Sequence, residues 1–186
     1  EGKDVKEEIK SDLENLGYKV EYKVLLASDY GVPQNRKRVI FIASLNGEID
    51  YPKPTVPHPV TVGDALSNIP EKDKIYLPPQ NDYQKLMSGR PDILNHNPIN
   101  HAANIVARMH TVPQGGNWKD IPIELGQGGG VHSNNYRRLK WDEPSITIKH
   151  VSKSMIIHPI YDRTPTIREV ARIQSFDDNF EILGTI

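Results

Sequence analysis

The sequence predicts an α/β protein in two unlike parts: the end of an α/β sheet domain, followed by a loop-rich α+β segment. Three observations carry this. Residues 3–45 run from an amphipathic helix through an alternating strand to a continuous apolar strand. Between Asn46 and Asn135 lie eleven of the fifteen prolines and nine of the thirteen glycines. After that stretch the chain becomes regular again and ends on a strongly capped helix.

In order along the chain, Val5, Ile9, Leu13 and Leu16 repeat at steps of four, four and three and share one helix face over residues 3–17. Gly17 stands where a C′ glycine ends a helix. Over Lys19–Leu25, Val20, Tyr22 and Val24 alternate with Lys19, Glu21 and Lys23, the pattern of a half-buried strand. Val39–Ala43 has no alternation, which predicts a strand buried on both faces, as in the middle of an α/β sheet. Such a sheet needs more strands than these residues supply. The start is therefore expected to be the tail of a larger α/β domain.

In the proline- and glycine-rich middle, strands must be short or at edges. Short helices are expected at Thr61–Ile69, Asn81–Ser88 and Pro98–Met109. In the last, Ile99, Ala102, Ala103, Val106 and Met109 fall on one face. Irregular segments on a rigid base often carry recognition, although a plain surface excursion has the same composition. Pro144–His150 and Ser154–His158 read as β-like. Thr166-Ile-Arg-Glu169 is a capping box, in which the Thr166 hydroxyl accepts the Glu169 N–H and the Glu169 carboxylate reaches back. The helix over 167–175 is expected to bury Ile167, Val170, Ala171 and Phe176. Arg168 and Arg172, four apart, are expected on the opposite face.

Composition bounds the chemistry. Of 186 residues, 37% are hydrophobic and 25% charged, enough for a folded core. The formal net charge is −1, so any nucleic-acid affinity must come from local patches. There is no cysteine, which excludes a disulfide framework, Cys-ligated zinc and a thiol nucleophile from this chain. No apolar run approaches the roughly 18 residues of a membrane span. The N-terminus does not read as a signal peptide, and the expected compartment is cytoplasmic. The seven histidines show no ligand-like pairing with acids on one helix face, so no metal site is expected; His96, His101, His110, His132, His150 and His158 read as structural or surface residues. Gly126–Gly130 has no following Lys-Ser/Thr and is not a P-loop; it reads as a flexible loop.

The sharpest feature is Tyr30-Gly-Val-Pro-Gln-Asn-Arg-Lys-Arg-Val-Ile-Phe-Ile-Ala43. Gly31 and Pro33 shape a turn. In an extended continuation Arg36 and Arg38 share one side, Lys37 takes the other, and Gln34 lies on the arginine side. Two guanidiniums ahead of a strand suit planar recognition of a phosphate, a carboxylate or a base edge. A solvated basic turn would use the same residues. A second polar, basic run, Asn134, Asn135, Arg137, Arg138 and Lys140, sits beside Tyr136 and Trp141. It suits phosphates or base edges, and equally a solvated hairpin. Trp118 reads as a core anchor.

The run Gly31–Ala43 closely resembles the Gln-x-Arg-x-Arg motif of DNA cytosine-5 methyltransferases. Arg163-Thr-Pro-Thr-Ile-Arg-Glu-Val-Ala-Arg-Ile-Gln-Ser-Phe176 is similar to the motif that follows their target-recognition region, and Val112–Trp118 and Tyr136–Pro144 also look like family members. The resemblance covers essentially the whole chain. It implies a Rossmann-like methyltransferase domain whose last strands and helix occupy residues 1–49. It further implies a target-recognition domain at 50–162 and a bracing helix segment at 163–186. Gln34, Arg36 and Arg38 would line the pocket for a cytosine flipped out of the duplex, since the attacked ring carbon is inaccessible in a stacked pair. Arg38 would bond the cytosine carbonyl oxygen. Arg36 would hold the neighbouring phosphate or the closed catalytic loop. Ile146-Thr147-Ile148 resembles the family's Thr-Leu element, which implies a phosphate contact for Thr147. Lys149, Asn134, Asn135, Arg137, Arg138 and Lys140 would add contacts to double-stranded DNA.

The departures from the family are equally informative. Its nucleophile is a cysteine in a Pro-Cys motif, and its S-adenosylmethionine motif and Glu-Asn-Val motif precede the helix that opens this chain. Its final Gly-Asn motif follows the position of Phe180. The resemblance thus implies a C-terminal piece of a bacterial restriction–modification methyltransferase. Such a piece would be inactive alone, and it would be completed by an N-terminal catalytic part on the same or a partner chain. A non-catalytic DNA-specificity subunit of a split enzyme is the alternative. An RNA-directed relative is a third reading.

Overall fold

In the computed structural model, residues 4–126 and 134–184 are described. Helix α1 (Val5–Asn15) is capped by the Asp4 carboxylate, which accepts the Lys6 N–H at 3.1 Å. It leads into β1 (Lys19–Leu26), which pairs antiparallel with β2 (Lys37–Ser44), Leu25 opposite Arg38 and Val24 opposite Val39. A 3-10 turn over Ala27–Tyr30 joins them, closed by Gly31 at φ 81°, where a side chain would be strained. Tyr51 packs back on this sheet, its hydroxyl 2.8 and 2.9 Å from the carbonyl oxygens of Ile40 and Glu21.

The expected two-sided burial of Val39–Ala43 is not met. Among the described residues the sheet has two strands, so no layer covers its outer face, and Val39 and Ile40 stay 37% and 41% exposed. The apolar stripe of α1 is open as well, with no buried residue.

Past residue 60 the chain packs around two clusters. Short helices α2 (Val62–Leu66) and α3 (Asp82–Met87) fall inside the expected spans, each started by a side-chain cap, Thr61 and Asn81. They share a core with Ile69, Ile93, Leu139, Ile148, Ile156 and Ile173. Gly63 lies hard against Trp141; a Cβ there would come within 2.6–2.8 Å of the indole and the Trp141 carbonyl. That contact seats α2 on the segment that continues to Thr147. Helix α4 (Ala103–Thr111) starts five residues later than expected, and it buries only Met109. Met109 joins Val112, Ile121, Tyr136 and Ile157 in a second cluster, on which the half-buried Trp118 packs.

The two β-like segments do not form strands. Each makes one isolated parallel bridge, Gln34 with Ser145 and Arg138 with Ile157, and Ser154 belongs to a single helical turn, α5 (Val151–Ser154). Local backbone extension exists there, but no neighbouring strand continues the ladder.

Helix α6 (Ile167–Ile173) carries the expected capping box: Glu169 N–H meets the Thr166 hydroxyl at 3.2 Å, and Thr166 N–H meets the Glu169 carboxylate at 2.7 Å. Its facing meets the expectation only in part: Ala171 is buried and Val170 packs on the first core, but the arginines are buried too. Arg168 and Arg172 are 0% exposed, whereas Phe176 is exposed and Ile167 and Val170 border an open apolar groove with Ile99, Val151 and Ile182. The guanidiniums can be buried because every one finds acceptors. Arg168 donates to the carbonyls of Leu94, Asp177 and Phe180. Arg172 grips the Asp178 carboxylate through Nε and Nη2 at 2.7 and 2.6 Å and reaches Ala65 and Asn68 through Nη1, both at 3.0 Å.

Candidate functional site

The candidate site lies where the turn before β2 meets residues 144–149. Three hydrogen bonds make that seam. Ser145 N–H donates to the Pro33 carbonyl at 2.9 Å, Asn35 N–H donates to the Ser145 carbonyl at 2.7 Å, and the Thr147 hydroxyl donates to the Asn35 carbonyl at 2.9 Å. Pro33 and Pro144 lack N–H groups, so the ladder cannot extend through them.

Beside the seam opens a groove of about 510 Å³, lined by Leu26, Asn35, Lys37, Arg38, Thr147 and Lys149. Three cations and no carboxylate make it an anion-attracting surface. Arg38 is held by a 2.6 Å hydrogen bond from its Nη1 to the Lys37 carbonyl. Consecutive strand residues project to opposite faces. A groove lined by both Lys37 and Arg38 therefore crosses the end of the strand rather than following one face.

The sequence-predicted trio is placed unequally. Arg38 lines the groove. Arg36 is half-buried and outside the lining, its carbonyl accepting the Ala27 N–H at 3.0 Å. Gln34 is 1% exposed, sealed under the seam by its bridge to Ser145, and its buried Nε2 has no hydrogen-bond partner. Lys37, expected on the far side, joins the site instead.

The second basic run also divides. Asn134 is exposed, and Asn135, Arg137 and Lys140 are half-buried. Arg137 and Lys140 line a small cleft of about 30 Å³ with Gly115, Glu143 and Ser145, where Lys140 pairs with Glu143 at 2.5 Å. Arg138 is a correction. It is 5% exposed, and its guanidinium is committed to the carbonyls of Val112 (2.7 Å), Met109 (2.6 Å), His158 (3.0 Å) and Tyr161 (3.3 Å) and to the Asp162 carboxylate (2.5 Å). An arginine whose five N–H donors meet five internal acceptors has none left to offer DNA. Apart from Gly126, the glycine run and His132 lie outside the described residues.

At the start of α6, Arg163 and Glu169 pair through two hydrogen bonds of 2.8 and 2.7 Å. His158 lies beside them, and its Nδ1 accepts the N–H groups of Ile160 and Tyr161 at 3.1 and 3.2 Å. Burial pushes its pKa down to about 4, against the pull of Glu169. Arg163, Arg138 and His96 lower it further. Among the described residues no three His, Cys, Asp or Glu side chains gather as a metal site, and no helix is long and apolar enough to cross a membrane.

The whole chain, residues 1–186, matches the C-5 cytosine-specific DNA methylase family. The chain belongs to that family. It is 38% identical over 179 residues to the type II methyltransferase M1.HphI of Haemophilus parahaemolyticus, covering 95% of this chain and 44% of that one. It is 34% identical over 205 residues to M.DdeI of Desulfomicrobium norvegicum, covering 97% and 49%. The chain thus spans about half the length of these methylase relatives. A solved structure of a DNA modification methyltransferase encoded in an Escherichia coli prophage superposes with a TM-score of 0.68 at 22% identity, over 95% of this chain and 55% of that one. This places the C-5 methylase chain in the same fold.

Sequence reasoning missed Leu26 and Asn35 as groove residues and misplaced Lys37. The signal was available only for Asn35, which stands between two residues already singled out.

Proposed function

We propose that this chain is the target-recognition and base-pocket half of a bacterial DNA cytosine-5 methyltransferase of the restriction–modification type. Residues 1–49 belong to the Rossmann-like catalytic domain, 50–162 to the target-recognition domain, and 163–186 to the bracing segment. The observation that carries the reading is the cationic groove at the seam of the Gln34–Arg38 run and the Ser145–Lys149 segment.

In this reading Lys37, Lys149 and the Thr147 hydroxyl bind duplex phosphates, and Arg38 donates to the flipped cytosine. Arg36 supports the neighbouring phosphate or loop, and Gln34 supports the pocket from beneath the seam. Asn134, Asn135, Arg137 and Lys140 contact DNA beyond the groove. The methyl donor of the complete enzyme is S-adenosylmethionine. Its two cationic groups outweigh its one carboxylate, and that net positive charge does not fit a groove walled by Lys37, Arg38 and Lys149. The cofactor site and the nucleophilic cysteine therefore belong to the other half, on the same or a partner chain. With no cysteine of its own, this chain does not transfer methyl groups alone.

The test is Arg38→Ala in the complete enzyme. Turnover should fall about a hundredfold while duplex affinity changes less than about threefold, because the lost donor acts on the flipped base in the transition state. Equal losses in both would remove Arg38 from the pocket. If turnover appears only when this chain is mixed with a separately encoded partner, the split-enzyme alternative holds.

A further inference from the structure

We infer that Asn35, the unassigned residue between Gln34 and Arg36, is a positioning residue that locks the recognition segment to the base pocket. The inference rests on the function proposed above.

Asn35 is gripped from both sides. Its Oδ1 accepts a hydrogen bond from the Ser28 hydroxyl at 3.0 Å, and Ser28 is 1% exposed in the turn that directly continues β1. The Ala27 N–H to Arg36 carbonyl bond, 3.0 Å, closes the same turn one residue further on. On the other side its N–H donates to the Ser145 carbonyl and its own carbonyl accepts from the Thr147 hydroxyl. One residue therefore joins the turn behind the arginines to the segment bearing Thr147 and Lys149. Arg36 and Arg38 follow it by one and three positions, so a backbone shift at Asn35 is carried to them directly.

The Thr147 hydroxyl changes its role when DNA binds. It has a single proton, donated to Asn35 in the free protein. A phosphate oxygen only accepts. When Thr147 donates to DNA, the Asn35 carbonyl loses that bond, and the Ser28 and Ser145 contacts alone must hold the seam. The side chain of Asn35 then holds Arg36 and Arg38 in the geometry that the transition state needs, so its loss is read in kcat.

The experiment uses the complete methyltransferase and cognate duplex. Asn35 is exposed, so Asn35→Ala removes the Ser28 contact without opening a core cavity. Its kcat should fall about tenfold, with KM for DNA within about twofold, as expected for misplaced pocket groups. Asn35→Asp keeps the Oδ1 acceptor but adds a carboxylate to a cationic groove. Its kcat should stay within about twofold, while KM rises about fivefold in a salt-dependent way. The fluorescence gain of 2-aminopurine at the target position should drop for Asn35→Ala and be retained at saturating DNA for Asn35→Asp. A wild-type enzyme that methylates cytosine while Asn35→Ala turns over normally overturns this inference alone. So does Asn35→Asp losing as much kcat as Asn35→Ala. A complete wild-type protein that transfers no methyl group to cytosine overturns the proposed function and this inference with it.

Discussion

His158 shows how a single residue ties the chain to pH. Buried and neutral, it takes up no proton in the folded protein until about pH 4, whereas in the unfolded chain it protonates below about 6.5. The unfolded state therefore binds more protons between those values, so stability rises with pH across this window and is lost as pH falls through it. Burial also lowers the pKa of His96 and His101, which adds to the same slope. Glu169, held below the usual carboxylate range by Arg163 and His158 against the opposing effect of burial, contributes stability that disappears at still lower pH. The melting temperature should fall steadily from pH 6.5 to 4. His158→Asn, which keeps an acceptor for the N–H groups of Ile160 and Tyr161, should flatten that fall measurably; an unchanged slope would remove His158 from the account. The Gln34 and Asn35 side chains illustrate the other lesson at this scale. Their residue types suited a polar site, but which amide was sealed and which was open depended on the bridge to Ser145.

At the scale of elements, α6 is the clearest case. Its start was legible because a capping box is a local arrangement of four consecutive residues. Its facing was not. Helical spacing put Ile167 and Val170 on one side and Arg168 and Arg172 on the other, and hydrophobicity alone would bury the first pair. The fold buried the arginines because residues 177–180 and the carbonyls of Ala65 and Leu94 supply acceptors that no local pattern announces. Thr166→Val removes the acceptor for the Glu169 N–H and the partner of His96 Nδ1, 3.0 Å away, while keeping volume. It should cost about 1–2 kcal/mol in denaturant unfolding, as cap removals do, and Thr166→Ser should cost less. Equal costs would assign the loss to packing of the methyl group instead. The β2 strand failed in a related way. Its apolar run correctly marked an extended segment, but two-sided burial needs layers that the described residues do not supply.

At the scale of the whole molecule, a net charge of −1 hides a local field. Lys37 and Arg38 converge on one groove with Lys149, which lies more than a hundred residues further along the chain. Duplex binding by this chain should therefore be weak and weaken with salt. Lys149→Ala should reduce the slope of log affinity against log salt by about one unit, since one fewer counterion is released. An unchanged slope would take Lys149 off the DNA. By itself, the sequence determined the features whose causes are local: that α1 is helical and β1 extended, the cap of α6 and the turn at Gly31. Only the tertiary structure decided which cations share a surface, that Arg138 and Arg172 serve as internal clamps, and that Asn35 joins two segments. Those outcomes depend on acceptors and neighbours brought together by packing, and a guanidinium's fate is set by the carbonyls it meets, not by its spacing along the chain.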